Sequence, residues 1–270
     1  MKPLRALTAP IERVWSSAAR GEVARRFPLR AVLASILFVL LGADGRADDW
    51  PGWRGRDGRG VWTRGDLPER FDETTVRRRW RQPIGSGYAG IAIAGGRLFT
   101  LDFVADGESI ADENGAPRVQ AHHPQRDLPP KPGEERVVCL DPATGKTLWS
   151  HAYRVDYGDL SYASGPRSTP TVVKESVFTI GAMGKVLALD VATGKVRWER
   201  DALEELEPKL PTWGFAASPV VHGDLVIAML GARPAGTVVA FDFDTGRERW
   251  RALEDRPCYS TPILLPRKAG

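Results

Sequence analysis

The amino-acid sequence predicts an all-β fold, a β-propeller of four-stranded antiparallel blades that is incomplete within this chain. Three observations carry that reading. Residues 136–149 (RVVCLDPATGKTLW), 185–198 (KVLALDVATGKVRW) and 237–250 (TVVAFDFDTGRERW) align without a gap, and their closing tryptophans stand 49 and 52 residues apart. A second element, Ser168-Thr169-Pro170, Ala217-Ser218-Pro219 and Ser260-Thr261-Pro262, recurs ahead of short apolar runs. Between these elements lie polar turns and further short strands, with no helical apolar period over most of each unit. Four-stranded units repeating at about 50 residues are propeller blades.

Each element has a local physical reason. In the long repeat an alternating β-branched run ends at Asp, whose side chain can hold the turn backbone. Thr-Gly follows, and Gly tolerates the positive φ of a bulged hairpin turn. The last short strand ends in Trp149, Trp198 or Trp250, a flat side chain suited to packing between units. Proline at the first residue of the opening strand loses no ladder hydrogen bond. The second strands are read at 177–182 (VFTIGA) and 225–230 (LVIAML).

The first unit diverges. Gly90-Ile91-Ala92-Ile93 replaces the Ser-Thr-Pro strand, residues 96–101 (GRLFTL) form the second strand, and an insertion from about Val104 to Gly133 delays the third. Ahead of it, Trp80 in RRRWRQPIG reads as a fourth strand without its blade, a closing strand from the N-terminal side. The count is therefore this strand, three blades over residues 80–270, and one opening strand (Tyr259 to Leu265) of a fourth. An open ring leaves strand edges bare, so the preferred reading is that the chain is truncated in mid-blade.

Residues 1–47 read as a signal peptide with an over-long n-region, and 48–79 as an N-terminal extension. The only long apolar run, Ala31 to Gly42, would make a helix of about 18 Å, short of a hydrocarbon core of roughly 30 Å. Arginines precede it and Gly45-Arg46-Ala47 follows, which places cleavage before Asp48. A start at Val23 would give a signal of ordinary length, and an uncleaved anchor is the alternative. After cleavage no stable membrane span is expected, and the location is extracytoplasmic, periplasmic or secreted. No cysteine follows the run, so a lipid anchor has no support.

The net charge of +4 comes from that first segment, which holds eight basic and three acidic residues. Residues 48–270 carry 30 basic against 31 acidic side chains, a net of −1, so nucleic acid is not an expected partner.

The Asp-x-x-Thr-Gly-Lys-x-x-Trp repeats with their Ser-Thr-Pro opening strands resemble the pyrroloquinoline quinone (PQQ)-like β-propeller repeat family. Residues 49–55 (DWPGWRG) and Gly85-Ser86-Gly87-Tyr88 look like its secreted branch, common in planctomycetes. The resemblance implies one of two functions. Quinoprotein alcohol or sugar dehydrogenases of the family hold PQQ near the axis against a Trp and an adjacent-cysteine disulfide, with carboxylate and Asn ligands on Ca²⁺. This sequence has two separate cysteines, Cys139 and Cys258, and a single asparagine, Asn114, in the insertion. A periplasmic scaffold of the outer-membrane assembly machinery belongs to the same family. The expectation is therefore an exported, non-catalytic binding or scaffold module for a protein or carbohydrate, with no cofactor evident. The alternative is a PQQ- and Ca²⁺-dependent dehydrogenase whose catalytic residues lie in blades outside this chain.

The segments entering the innermost strands ring one mouth of a propeller's channel. Here they carry Tyr88, Tyr162, Arg167, Trp213, Phe215 and Tyr259, candidates for a ligand cleft or for junction packing. No catalytic or metal residue is assigned. His122-His123 with Asp106, Glu108, Asp112 and Glu113 lacks metal-ligand spacing and reads as a solvated loop. Asp156-Tyr157-Gly158-Asp159 reads as a turn, Arg77-Arg78-Arg79 as a solvated edge, and Cys139 as a small buried hydrophobe.

Overall fold

The computed structural model describes residues 49–62, 68–110, 132–158, 160 and 165–265. The expectations for residues 1–47, for His122-His123, Asn114 and most of the insertion, and for Tyr162 and Asp159 lie outside these residues.

Three four-stranded antiparallel sheets follow one another in chain order. The first holds β1 (Ala92–Ala94), β2 (Arg97–Ala105), β3 (Pro132–Leu140) and β4 (Thr147–Asp156). The second holds β5 (Thr171–Val173), β6 (Ser176–Ile180), β7 (Lys185–Asp190) and β8 (Val196–Asp201). A short helix, α1 (Ala202–Leu206), leads on to β9 (Val220–His222), β10 (Leu225–Met229), β11 (Val238–Asp242) and β12 (Glu248–Ala252). Strands pair with their sequence neighbours, and β1, β5 and β9 lie side by side as the innermost strands. These sheets are the blades the repeats predict.

The repeated turn works as its residues require. Asp141, Asp190 and Asp242 each accept two backbone N–H bonds on Oδ1, from the residues two and three positions on. Arg197 and the Thr193 hydroxyl also donate to Asp190, and hold its carboxyl down at about 2. Gly145, Gly194 and Gly246 follow with φ of 74°, 70° and 65°. A β-bulge falls at the same place in all three blades, between Cys139 and Leu140, Ala188 and Leu189, and Ala240 and Phe241.

The blade-ending tryptophans dock on the next blade's turn. Trp149 Nε1 donates to Val191 O at 3.0 Å, and Trp198 Nε1 to Phe243 O at 2.8 Å. Their rings lie where a Cβ on Gly194 or Gly246 would stand, 2.5 Å from ring carbons in both cases. The turn glycine is thus required twice, for its φ and for the ring above it. Trp80 does the same from the N-terminal side: Nε1 donates to Pro142 O at 2.9 Å, with the ring over Gly145. Its neighbours 76–84 are not in a β-ladder, so the expected closing strand is present here as its tryptophan alone. Trp250 departs from the packing expected of it. It is 40% exposed, because no turn among the described residues receives it.

Around the axis the Ser-Thr-Pro elements bond to each other. Thr169 N donates to Ser218 Oγ and Ser218 N to Thr261 Oγ1, each at 2.9 Å. The middle position of the element must therefore carry a hydroxyl. Ser218→Ala strands the buried Thr169 N–H and is expected to cost about 1–3 kcal/mol, whereas Ser218→Thr retains most of the stability. Urea unfolding of the two variants measures the difference, and equal losses would remove this role.

Three further features were not as expected. The strands flanking the insertion are longer, since Ala105 pairs with Gly133, leaving 106–131 between them. Residues 259–265 carry no strand pairing, although Thr261 sits in its repeat position. The N-terminal extension lies along the inner strands: Trp50 exchanges two bonds with Ile93 of β1, and Pro51 O accepts from Val172 N of β5 at 2.7 Å. No helix among the described residues is long and apolar enough to cross a membrane.

Candidate functional site

Glycines bring the first mouth residue into place. Gly85 N donates to Asp102 Oδ2 at 2.6 Å, and a Cβ on Gly85 would meet Phe103 O at 2.3 Å. Ser86 bridges Phe103 through two 2.8 Å bonds, and Tyr88 N then donates to Pro166 O at 2.8 Å. Pro166 carries the chain into Arg167, whose Nη1 donates to Gly165 O at 2.5 Å and whose guanidinium lies 5.4 Å from the Tyr88 ring centre. Burial pulls the Arg167 pKa below its ordinary value, opposed in part by the facing Tyr157, Tyr88, Glu135 and Tyr259.

Tyr88, Arg167 and Tyr259 line one cavity of about 540 Å³, together with Trp53, Arg54, Ala216, Ser218, Ser260 and Thr261. Trp53 and Arg54 arrive on the N-terminal extension, which Trp50 and Pro51 anchor to the inner strands. Trp213 is not in the wall but stacks on Tyr259, with ring centres 5.1 Å apart and planes at 26°. Its N–H donates to the Tyr259 hydroxyl at 3.3 Å. Phe215 does not belong to this site. It is 2% exposed in the core between the second and third blades, with Ala202, Leu206 and Phe241, and its ring sits against Gly184.

Sequence reasoning missed the group behind Arg167. Glu135 of β3 is fully buried and lies opposite Tyr153 in the β3–β4 register. Its carboxyl accepts from the hydroxyls of Tyr153 and Tyr157, and from Ala182 N of the second blade at 3.0 Å. Burial raises its pKa, against the lowering effect of these donors and of Arg167. The two phenols are pushed up by burial and by Glu135. A signal existed in the alternation of β3, where Glu135 shares the inward face with Val137 and Cys139. The other buried acid of this blade, Asp102, pairs with Arg136 directly across the β2–β3 ladder at 2.8 and 2.5 Å.

Among the described residues, Asp106, Asp156 and Arg77 to Arg79 lie on the exposed surface. Asp106 is held by Arg154 in an exposed ion pair, and Asp156 accepts from Gly158 N at 2.9 Å. Cys139 and Cys258 are free thiols, the first buried and its pKa pushed up to about 12 by desolvation.

Comparison with known proteins places this geometry. Residues 55–264 match the family described as "Outer membrane protein assembly factor BamB". The chain is 28% identical over 199 residues to the outer membrane protein assembly factor BamB of Nitrosomonas eutropha, covering 67% of this chain and 46% of that protein. It is 30% identical over 132 residues to the serine/threonine-protein kinase AfsK of Streptomyces griseus, covering 49% of this chain and 15% of the kinase. Over 120 residues it is 31% identical to the quinohemoprotein alcohol dehydrogenase ADH IIB of Pseudomonas putida, covering 43% and 17%. The matches thus span less than half the length of each of these relatives. Among solved structures, the quinohemoprotein alcohol dehydrogenase from Comamonas testosteroni superposes with a TM-score of 0.50 at 18% identity, covering 80% of this chain and 28% of that one. A likeness at that identity shows the propeller fold.

Proposed function

Since this chain belongs to the family described as outer membrane protein assembly factor BamB, we propose that it is an exported, non-catalytic propeller that holds a protein or carbohydrate partner at the axial mouth of its blades. One observation carries the reading. The mouth gathers aromatic faces and hydrogen-bond donors, whereas the two buried acids of the first blade, Glu135 and Asp102, are held by neighbouring side chains and backbone.

The residues present do not fit the calcium and quinone pair that the family resemblance implies. A hard dication takes six to eight oxygen ligands, carboxylates prominent among them. Among the described residues the cavity wall presents two guanidinium groups and no carboxylate, and both thiols are free, one buried and one exposed. No dehydrogenase step is therefore assigned to these side chains.

A second reading, a segment of a PQQ- and Ca²⁺-dependent dehydrogenase, draws on the similarity to quinohemoprotein alcohol dehydrogenases of Pseudomonas putida and Comamonas testosteroni. Dye reduction by protein recovered from the extracytoplasmic fraction, with PQQ, Ca²⁺ and a panel of alcohols and sugars, separates the two. The expected result is no saturable reduction, from protein whose first residue is Asp48. Saturable, PQQ-dependent turnover would overturn the binding role in favour of the dehydrogenase.

A further inference from the structure

We infer that the axial cavity binds a sugar ring carrying an oxyanion, a carboxylate or a sulfate; the inference rests on the binding role proposed above and names its ligand class. The chemistry follows from where each hydroxyl hydrogen goes. Ser218 Oγ accepts from Thr169 N, and Thr261 Oγ1 accepts from Ser218 N. The Tyr259 hydroxyl accepts from Trp213 N. Each of these three wall residues already accepts a backbone N–H, and among the described residues none spends its own hydrogen inside the fold. Ser168, ahead of the neighbouring inner strand β5, and Thr171, at its start, differ: they donate to Ile180 O at 2.6 Å and Pro219 O at 2.7 Å. The wall therefore presents hydroxyl donors beside the guanidinium groups of Arg54 and Arg167. Among the described residues that line it no side chain is a carboxylate, so the complementary ligand is rich in acceptors and negatively charged.

The shape adds the ring. Trp53, Tyr88 and Tyr259 are 53%, 45% and 39% exposed, so each offers aromatic surface to a ligand. Trp213 stacks behind Tyr259 and Arg167 lies over Tyr88, which holds both rings in position. About 540 Å³ falls within the roughly 300–1,000 Å³ usual for small-ligand sites. Aromatic faces meet the C–H faces of a pyranose, while guanidinium and hydroxyl groups take the oxyanion.

Calorimetry on the full chain tests this with four probes: tri-galacturonate, its fully methyl-esterified trimer, galactose 6-sulfate and PQQ. Tri-galacturonate, galactose 6-sulfate or both should bind, at least about tenfold more tightly than the neutral ester, with affinity falling as salt rises. Which of the two binds assigns the anion. Arg167→Gln and the exposed Arg54→Gln should each weaken binding about tenfold; Arg54→Gln keeps the test sound if Arg167→Gln fails to fold. Equal binding of the neutral ester, no binding of either acidic sugar to folded protein, or indifference to Arg54→Gln would each overturn the inference. PQQ binding more tightly than both sugars would overturn it too, and with turnover would also remove the binding role; loss of sugar binding without turnover leaves that role standing.

Discussion

Glu135→Ala is expected to lower stability by about 3–5 kcal/mol, one of the largest single losses available in the chain. Three donors, the Tyr153 and Tyr157 hydroxyls and Ala182 N, would lose one shared acceptor, and two of those residues are fully buried. The loss falls on a joint between blades, since Ala182 belongs to the second blade and the two tyrosines to the end of the first. Glu135→Gln keeps an acceptor and should cost less than half as much. Urea unfolding of the three proteins decides the matter, and a Glu135→Ala loss below about 1 kcal/mol would sink it.

The same residue sets a sign for pH. Burial holds the folded Glu135 carboxyl above the ordinary glutamate value. The folded protein therefore binds this proton more tightly than the unfolded chain does. The corresponding stability is full below the ordinary value, about 4.3, and is lost as pH rises through the raised one. Wild type measured against Glu135→Gln should lose relative stability over that rise. A relative gain with rising pH would contradict the assignment. Asp190, held down at about 2, runs the other way, but is common to both proteins and drops out of the comparison.

Trp198→Ala should cost about 3–5 kcal/mol, whereas Trp250→Ala should stay within about 1 kcal/mol. The two occupy the same place in the repeat. Trp198 is 7% exposed, bonded to Phe243 O and seated on Gly246, while Trp250 is 40% exposed. Denaturant midpoints of the two variants give the comparison. Equal losses would mean that docking on the following turn is not what these tryptophans contribute.

Local chemistry is what the sequence made legible. The Asp-x-x-Thr-Gly turn can be read because its bonds run two to three residues ahead, and its glycine φ is a property of one residue. Helix α1 has a local signal as well, Asp201 capping Glu204 N, but five residues are too few to show a helical apolar period. The Glu135 group was harder. Its partners lie 18, 22 and 47 residues away, and only the β3–β4 register and the packing of a second blade bring them together. Phe215 shows the opposite failure. An aromatic beside Gly214, at a mouth position, reads like an open face, and the core between blades took it instead. The N-terminal extension has no internal repeat, so nothing local foretold that Trp50 and Pro51 would bond to β1 and β5.

The relay of Trp80, Trp149 and Trp198 onto successive glycine turns makes the molecule behave as a short one-dimensional lattice. Each described blade couples to the next through this docking and through further bonds, Ala182 N to Glu135 between the first two and Thr169 N to Ser218 Oγ between the last two. Stability is therefore a sum of blade terms and nearest-neighbour couplings. Among the described blades the second has a blade on each side, and the first and third have one each. Amide exchange should therefore be slowest in β6 and β7 of the second blade and quicken toward β12, where Trp250 has no described neighbour to couple to. A ligand spanning the mouth from Tyr88 to Tyr259 would add a coupling between non-adjacent sites, and so flatten that gradient.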